Sequence, residues 1–350
     1  MFGMRSKLIM NADDNYKDTY PMPRNPNGWY GVCLSRELKI GKVIRLSYFG
    51  KELVAFRDQN GKACILDAYC PHMGAHLGIN STVINGEIRC PFHQWQFNGE
   101  GHCTNAPFAK QTPRGDRTKA GNYPTSEING IILIWHHSDR NILPSYEIPE
   151  FEEMNRTKFI GFTNFSLKLR THVQEIRENF ADESHFAFIH NQPGPAKLVF
   201  DTDGPRARMH SQLVFKKYGL NLTFDSVGEM YGPGVMIVRT TGIFHSAAIA
   251  LSTPINDQYS ELRMIVTAKK PRYAPWFAYI LRSNILRIAY QDLVKEGTIW
   301  SNKRYYEQPI FQAHERTTPI FKRWYQQFYT KNFVQQQQQE RRLKLINVDN

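Results

Sequence analysis

Two cysteines and two histidines stand in one short stretch of this 350-residue chain with the spacing of metal ligands. Cys70 and His72 form a Cys-x-His pair, and after seventeen intervening residues Cys90 and His93 form a Cys-x-x-His pair. In a zinc finger the thiols and the imidazoles usually come from separate loops, whereas here each loop supplies one of each. The pattern predicts a metal site formed by two loops, and a structural zinc site is one possible occupant.

The mixed pairing suits a [2Fe-2S] cluster in which two thiolates hold one iron and two imidazoles hold the other. On these four residues the stretch resembles the Rieske proteins. The neighbouring residues fit that resemblance, because Gly74 and Gly78 allow a close approach of the backbone, and Pro71 and Pro91 stiffen the loops directly after the cysteines. The resemblance implies that Cys70, His72, Cys90 and His93 bind a Rieske cluster.

Two neighbouring positions narrow the resemblance. Rieske proteins of respiratory chains carry an extra cysteine in each loop, joined as a disulfide, and the matching positions here are Ala75 and Phe92. The stretch is therefore more similar to the Rieske centres of oxygenases and their ferredoxins. One departure from that pattern is Gln94, which replaces the usual glycine after the second cluster histidine.

A second group of candidate ligands lies in ENFADESHFAFIH, residues 178–190. His185 and His190 are five residues apart, and Asp182 precedes His185 by three, so that these two would share a helix face. His190 would fall off that face unless the helix ends or bulges between the two histidines. Taken alone, two histidines at this spacing are more often structural.

Together with the cysteine–histidine stretch, this segment resembles the Rieske non-haem iron oxygenases, which carry N-x-x-D-x-x-H and a second histidine four or five residues later. The resemblance implies that His185 and His190 hold a mononuclear Fe(II) with one carboxylate, leaving open positions for dioxygen and substrate. That carboxylate lies on a late helix in the family. The matching position in QDLVKEGTIWSNKRY is Glu296, a Glu where the family has Asp, and Asp292 one turn earlier is the alternative ligand.

The resemblance also assigns roles to Asn179 and Asp182, which match the first two positions of the motif. In these oxygenases an acidic residue links a cluster histidine of one subunit to an iron-bound histidine of its neighbour in a trimer, and Asp182 fits that bridge. The implied partners are a separate flavin or ferredoxin reductase that takes electrons from NADH or NADPH, and further copies of this chain in a homotrimer.

Within that family, residues 28–305 resemble the branch of the 3-ketosteroid 9α-hydroxylases and cholesterol 7-desaturases. The likeness rests on DAYCPHMGAHLG, IRCPFHQWQF, NGIILIWHH and IWSNKRY. It implies a monooxygenase or desaturase of steroid metabolism that uses O2 to hydroxylate or desaturate a sterol or steroid. Two alternatives stay open: an oxygenase or demethylase acting on an aromatic substrate, and an electron-transfer Rieske protein without catalysis of its own.

The remaining sequence predicts an α+β chain. Short alternating segments after Trp29 predict an all-β domain, and longer ones after residue 200 predict an antiparallel sheet with a helix over 276–303 and an apolar cavity between them. By resemblance these are an all-β Rieske domain and a helix-grip catalytic domain. We expect an N-terminal segment over 1–25, a Rieske domain over 26–140, a mononuclear iron domain over 141–333, and a glutamine-rich tail over 334–350.

Composition excludes several classes of protein. The formal net charge is +12, but the basic residues are dispersed without a nucleic-acid motif, so that we expect no nucleic-acid partner. An acidic redox partner or an anionic membrane surface accounts for the charge as well. There is no apolar run of eighteen residues and no secretory signal, and Cys33, Cys64 and Cys103 form no disulfide pattern. We expect a cytoplasmic protein without a transmembrane segment, in which APWFAYILRSNILRIAY lines a sterol pocket, faces a membrane or forms an ordinary amphipathic helix.

Overall fold

The computed structural model describes residues 7–8, 22–190, 192–194, 196–217, 220–306, 308–331 and 333–335. Most of the predicted N-terminal segment 1–25 and nearly all of the glutamine-rich tail 334–350 therefore lie outside the described residues. The chain divides into two compact units. One comprises Trp29–Glu150 with Thr253–Asp257, and the other comprises Phe151–Ser252, the residues from Gln258 onward and those before Trp29.

The secondary structure consists of short strands in the first unit and long strands with few helices in the second. The strands are β1 (Lys7–Leu8), β2 (Gly28–Leu34), β3 (Ile44–Tyr48), β4 (Lys51–Arg57), β5 (Ala63–Asp67), β6 (Thr82–Ile84), β7 (Glu87–Arg89), β8 (Gln96–Phe97), β9 (Cys103–Asn105), β10 (Asn122–Tyr123), β11 (Thr125–Ile128), β12 (Ile131–His136), β13 (Thr163–Leu169), β14 (Val199–Asp203), β15 (Arg206–Lys217), β16 (Leu220–Tyr231), β17 (Val235–Thr241), β18 (Ser246–Pro254) and β19 (Ser260–Ala268). The helices are α1 (Val173–Glu178), α2 (His185–Ile189), α3 (Phe277–Asn302) and α4 (Thr317–Tyr325), with short 3₁₀ turns at Asp116–Thr118, Glu152–Met154, Asn179–Ala181 and Gln326–Phe328.

The first unit is the all-β domain that the sequence predicts. Its strands form three small sheets in the orders β10-β5-β4-β3, β11-β12-β2 and β6-β7-β8-β9. The turn residues determine the hairpin between β11 and β12. Asn129 and Gly130 both have positive φ, 57° and 73°, which a two-residue type I′ turn requires. The all-apolar run of β12 then becomes buried in the core.

The second unit is built on one eight-stranded sheet in the order β1-β13-β19-β18-β17-β16-β15-β14. Strands β14 to β18 pair antiparallel in sequence, as their alternating pattern predicts. Helix α3 packs its inner side against this sheet; the ring of Tyr290, for example, meets Phe165 of β13 edge to face at 5.2 Å. The α+β prediction and the predicted helix over 276–303 are confirmed.

The bounds of the two units differ from the predicted domain bounds at two places. The change of unit comes between Glu150 and Phe151, ten residues after the predicted end of the first domain at 140. In addition, Thr253–Asp257 at the end of β18 group with the first unit, where Thr253 Oγ1 donates a hydrogen bond to the Gly31 carbonyl oxygen at 2.8 Å. The alternation of apolar and polar residues does not predict that Thr253–Asp257 belong to the first unit, because this grouping depends on contacts between residues far apart in the chain.

Candidate metal centres

The loops that carry Cys70 and Cys90 join β5 to β6 and β7 to β8. Each loop is tightened by main-chain hydrogen bonds: the Cys70 N–H donates to the Ala75 carbonyl oxygen at 2.9 Å, and the Cys90 N–H donates to the Trp95 carbonyl oxygen at 2.8 Å. Gly74 has a φ of 72°, a left-handed conformation that glycine adopts without steric cost. Turn geometry thus brings one Cys–His pair of the sequence opposite the other.

The four side chains divide into an inner and an outer pair. Cys70 and Cys90 are buried, whereas His72 is exposed and His93 half-buried, and the two imidazole rings lie with their centroids 4.8 Å apart. Burial raises the pKa of the Cys70 thiol to about 11, and the neighbouring Cys90 adds to that effect. When two buried cysteines bind a metal as thiolates, the positive charge of the metal compensates for the cost of burying their negative charge. This donor set therefore fits a cluster with a thiolate side and an imidazole side.

The second loop also contains one aromatic residue, Trp95, and one polar residue, Gln94. The Trp95 ring stacks on His72 almost parallel, at 4.5 Å, and so holds that imidazole in one orientation. Gln94, which replaces the usual glycine, has a φ of 62°. The left-handed conformation explains why a glycine suits this position, because a residue with a Cβ there is strained. Its side chain amide reaches the Pro91 carbonyl oxygen at 3.5 Å.

The segment with the two candidate iron histidines is broken, not continuous. After α1 and a 3₁₀ turn, Asp182 is extended, with φ −92° and ψ 112°. The expectation that Asp182 and His185 share a helix face is therefore wrong. Instead the Asp182 carboxylate precedes α2, where its Oδ1 accepts hydrogen bonds from the N–H groups of Ser184 at 2.9 Å and His185 at 3.3 Å. A short acidic side chain commonly accepts hydrogen bonds from main-chain N–H groups a few residues later, and such bonds compete with a continuous helix.

The end of the same short helix positions the second histidine. Helix α2 ends at Ile189, and His190 follows with φ −99° and ψ 10°, outside the helical region. The helix end that the five-residue spacing requires thus lies immediately before His190. The two imidazole rings come within 5.2 Å of each other, centroid to centroid.

Glu296 of α3 completes the group. One ligand atom each from His185, His190 and Glu296 lies within 4.8 Å of the other two, and Glu296 Oε1 is 3.1 Å from His190 Nε2. The Nδ1 atom of His185 is 2.7 Å from the Asp182 carbonyl oxygen, and the Nδ1 atom of His190 is 3.2 Å from Asp292 Oδ2. Hydrogen bonds at Nδ1 leave Nε2 of both rings available to a metal.

The donor set fits a divalent metal on two further grounds. Glu296 is buried, and the contact given for its Oε1 is the one with His190 Nε2 at 3.1 Å, so that this carboxylate depends on a nearby positive charge, either a protonated His190 or a bound cation. Burial also lowers the pKa of His185, which favours the neutral imidazole that binds metals. Two imidazoles and one carboxylate form the ligand set of non-haem Fe(II) centres with open positions.

Asp292, the alternative candidate for the third ligand, lies beside the Nδ1 atom of His190 and not beside its Nε2 atom. It contacts His190 at Nδ1, on the ring edge away from Glu296, and also lies 3.6 Å from the ammonium group of Lys295. Burial lowers the pKa of His190, but the carboxylates of Asp292 and Glu296 outweigh it and raise that pKa to about 9. The geometry favours Glu296 as the third ligand and Asp292 as the residue that orients His190.

A cavity of about 720 Å³ opens onto these three side chains. Its wall is mainly apolar and comes from the sheet and from α3, with few polar groups. In addition to the candidate metal ligands, the polar residues of the wall include Asn179, Gln192, Ser226 and Thr240. The volume lies within the range of small-molecule sites, and an apolar wall with few polar groups is typical of a site for a hydrophobic molecule. The sequence predicts a cavity between helix and sheet, but its lining residues come from strands far apart in the chain and carry no sequence signal.

Comparisons with known proteins place both units. A family described as the Rieske [2Fe-2S] domain matches residues 28–124, and one described as the 3-ketosteroid 9alpha-hydroxylase C-terminal domain matches residues 134–329. A cholesterol 7-desaturase of Xenopus laevis is 30% identical over 346 residues, covering 89% of this chain and 74% of the relative. The oxygenase component of a 3-ketosteroid-9-alpha-monooxygenase of Rhodococcus rhodochrous is 30% identical over 321 residues, covering 87% and 83%.

The fold has solved counterparts as well. A crystal structure of dicamba monooxygenase bound to dicamba superposes with a TM-score of 0.70 at 17% identity, covering 87% of this chain and 97% of that one. At this identity the likeness concerns the fold. Among the described residues, no helix is long and apolar enough to cross a membrane.

Proposed function

This chain belongs to the Rieske non-haem iron oxygenases that carry a C-terminal domain of the 3-ketosteroid 9α-hydroxylase type, and we propose on that premise that it hydroxylates or desaturates a sterol or steroid. As a member of this family it is an oxidoreductase with a Rieske [2Fe-2S] cluster and a mononuclear iron, and its electrons come from NAD(P)H through a separate reductase. The observation that carries the substrate proposal is the apolar cavity of about 720 Å³ that opens onto the candidate iron ligands.

Residues of the two centres take the following roles in the proposal. Cys70, His72, Cys90 and His93 hold the cluster, and His185, His190 and Glu296 hold the iron. The bound metals supply electron transfer and the activation of dioxygen. The protein holds His185 through the Asp182 carbonyl oxygen and His190 through the Asp292 carboxylate, so that both imidazoles keep a fixed orientation.

In this proposal the cavity wall binds the substrate and selects it. Apolar side chains such as Leu213, Val238 and Met264 exclude water and bury the rings of a sterol, which gains about 25 cal/mol for each Å² of apolar surface removed from water. Thr240 and Ser226 offer hydroxyl groups that can pair with a hydroxyl or keto group of the substrate. We propose that this wall, and not the metal ligands, selects sterols over smaller molecules.

Substrate assays with the loaded enzyme test this function. The protein is purified anaerobically, its iron and sulfide are measured, and turnover is followed with a surrogate reductase on cholesterol, a 3-ketosteroid and aromatic acids. We expect oxidised sterol or steroid product, and a Val238→Trp variant that fills the cavity loses that turnover while keeping its iron. Turnover of aromatic acids alone would support the aromatic alternative, and a fully loaded chain without oxidised product would support a pure electron carrier.

We further propose that the enzyme is a cytoplasmic homotrimer in which Asp182 carries electrons between subunits. Exposed apolar side chains support it: Met73 and Phe92 flank the cluster histidines, while Ile310 and Tyr306 line the same polar cavity, of about 210 Å³, as Asp182. Each set suits a surface that a neighbouring copy covers. The five cysteines are all free, as a reducing compartment requires. Light scattering of the loaded protein tests the trimer, and a monomeric mass with full activity would contradict it.

A further inference from the structure

The segment of residues 269–291, which leads into α3 and forms its first half, has an unusual composition for a helix on a protein surface. It contains five basic residues and no acidic residue, and five of its members are aromatic. The basic residues are Lys269, Lys270, Arg272, Arg282 and Arg287, and the aromatic ones are Tyr273, Trp276, Phe277, Tyr279 and Tyr290. We call residues 269–291 the basic aromatic segment.

Much of its apolar surface faces outward. Six large apolar side chains are between 42% and 90% exposed: Tyr273, Trp276, Phe277, Tyr279, Ile280 and Ile288. The inner side of the same helix is apolar too, since Ala278 is buried against Ile160 and Ala268. A helix at the surface normally presents polar residues outward, so an apolar outer side indicates that something other than water covers it.

The charges around this side indicate what covers it. Lys269, Arg272 and Arg287 are exposed, and the first acidic residue after the segment is Asp292, which contacts His190. Glu152, outside the segment, interacts with Lys269, whereas the segment itself contains no acidic residue. Aromatic and aliphatic side chains interspersed with cations are typical of helices that lie in the headgroup region of a bilayer. Tyrosine and tryptophan favour that region, because their rings are apolar and their polar groups remain hydrated.

The same helix leads directly to the cavity. Ile288 is 47% exposed and also lines the cavity of about 720 Å³, so that the cavity reaches the surface beside it. Ala289, Asp292 and Leu293 continue the cavity wall along α3 towards Glu296. A bilayer in contact with the exposed side of the segment would therefore meet the mouth of the cavity.

We propose that the exposed side of the basic aromatic segment docks onto an anionic lipid bilayer and places the cavity mouth at the membrane surface, where a sterol can pass from lipid into the cavity. Binding to lipid rests on the surface alone, whereas the passage of a sterol rests on the proposed function. Docking of this kind involves no spanning helix: the apolar side chains enter the headgroup boundary and the cations pair with lipid phosphates.

Flotation of the loaded protein with vesicles tests the docking. We expect it to bind vesicles of phosphatidylcholine with phosphatidylglycerol, and to bind vesicles of phosphatidylcholine alone weakly. Replacing Trp276 and Ile280 together by Glu lowers binding by about tenfold or more, since both apolar anchors become acidic. Lys269→Gln and Arg272→Gln each lower binding to the anionic vesicles by about fivefold, and added salt also lowers this binding.

A matched control separates this surface from exposed apolar residues in general. Phe108 is 95% exposed and lies outside the segment, so Phe108→Glu should bind vesicles like the unchanged protein. Equal loss in both variants, or no binding of the unchanged protein to anionic vesicles, would overturn the proposal. A larger assembly in solution that dissociates on the double Glu substitution would show instead that a second copy covers this side.

Activity separates docking from catalysis. With cholesterol supplied in vesicles, the double Glu variant should lose turnover, and with cholesterol supplied in cyclodextrin it should keep turnover. Equal turnover in both forms would contradict the passage of sterol from the membrane. If no sterol reacts in either form, the proposed function fails, while the flotation result still decides the docking.

Discussion

The Nδ1 atom of His190 lies 3.2 Å from the Oδ2 atom of Asp292. Asp292 is one helical turn before Glu296 on α3, so that the same helix supplies a carboxylate to each nitrogen of the ring. One edge of the imidazole is held and the other faces the candidate iron site. In the proposed assignment of the iron ligands, Asp292 is a positioning residue for His190.

Substitutions on α3 distinguish the two carboxylates. We expect Glu296→Gln to lose nearly all mononuclear iron while the [2Fe-2S] cluster is kept, because the metal loses its only anionic ligand. Asp292→Asn removes a carboxylate that orients a ligand, and such changes weaken metal binding by about 10- to 100-fold. Iron analysis with electron paramagnetic resonance measures both centres. Full iron in Glu296→Gln together with iron loss in Asp292→Asn would reverse the assignment.

Metal binding should release a proton from His190. Its pKa is raised to about 9 in the metal-free protein, so that it is protonated at pH 7.5, whereas His185, whose pKa is lowered, is already neutral. A metal binds only the neutral imidazole, and we expect about one proton to leave per Fe(II) bound at that pH. Anaerobic calorimetry in buffers of different ionisation enthalpy counts the protons. A count near zero would mean that His190 is neutral or is not a ligand.

The same raised pKa gives the metal-free protein a pH dependence of stability. A histidine whose pKa is higher in the folded state than in the unfolded one stabilises the fold fully below the unfolded value. That contribution decreases as the pH rises from about 6.5 to about 9. We expect the free energy of unfolding of the metal-free chain to fall over this window, and the fall to shrink in Asp292→Asn. Urea unfolding at a series of pH values checks this.

Two substitutions at Asp182 separate its structural role from its role in electron transfer. An Asn side chain still accepts hydrogen bonds from Ser184 and His185, so that Asp182→Asn should keep both metals and fold normally but lose turnover. Asp182→Ala also loses these two hydrogen bonds, at a cost of about 1 kcal/mol. Reduction of the cluster followed by rapid mixing with oxygen and substrate measures electron transfer directly. Unchanged turnover in Asp182→Asn would remove this residue from the electron path.

Gln94→Gly should stabilise the protein modestly. Gln94 adopts a φ of 62°, and a left-handed conformation costs an L-residue roughly 1–2 kcal/mol that glycine does not bear. Greater freedom of glycine in the unfolded chain offsets part of this, and we expect a net gain of about 0.5–1 kcal/mol. Thermal unfolding of the cluster-loaded protein measures it. A loss of stability would show that the hydrogen bond from Gln94 to Pro91 matters more than the backbone conformation.

Gly228 of β16 controls the position of Phe180, which lines the cavity. A Cβ atom at residue 228 would lie 2.2 Å from Phe180 Cε1, too close for both to stay in place. Gly228→Ala should therefore cost about 1–3 kcal/mol and raise KM by displacing Phe180 towards the substrate. Gly161 has no atom within 4 Å of such a Cβ, so Gly161→Ala is the matched control. Equal behaviour of the two variants would show that Phe180 adapts without cost.

The short-range features of this protein follow from the sequence. The four proposed cluster residues stand within 24 positions, and each Cys–His pair lies in a short loop with a proline directly after the cysteine and a residue of positive φ, Gly74 in the first loop and Gln94 in the second. The hairpin at Asn129 and the bounds of α3, correct to one residue, follow from local conformational preference and helical periodicity. In such cases the interactions that decide the conformation lie within a few residues.

The tertiary structure alone decided the rest. The choice between Asp292 and Glu296 depends on which edge of His190 each one meets across about a hundred residues of chain. The size of the cavity likewise depends on strands that pair over long distances. Local sequence patterns carry no record of these contacts, since packing between distant residues determines them.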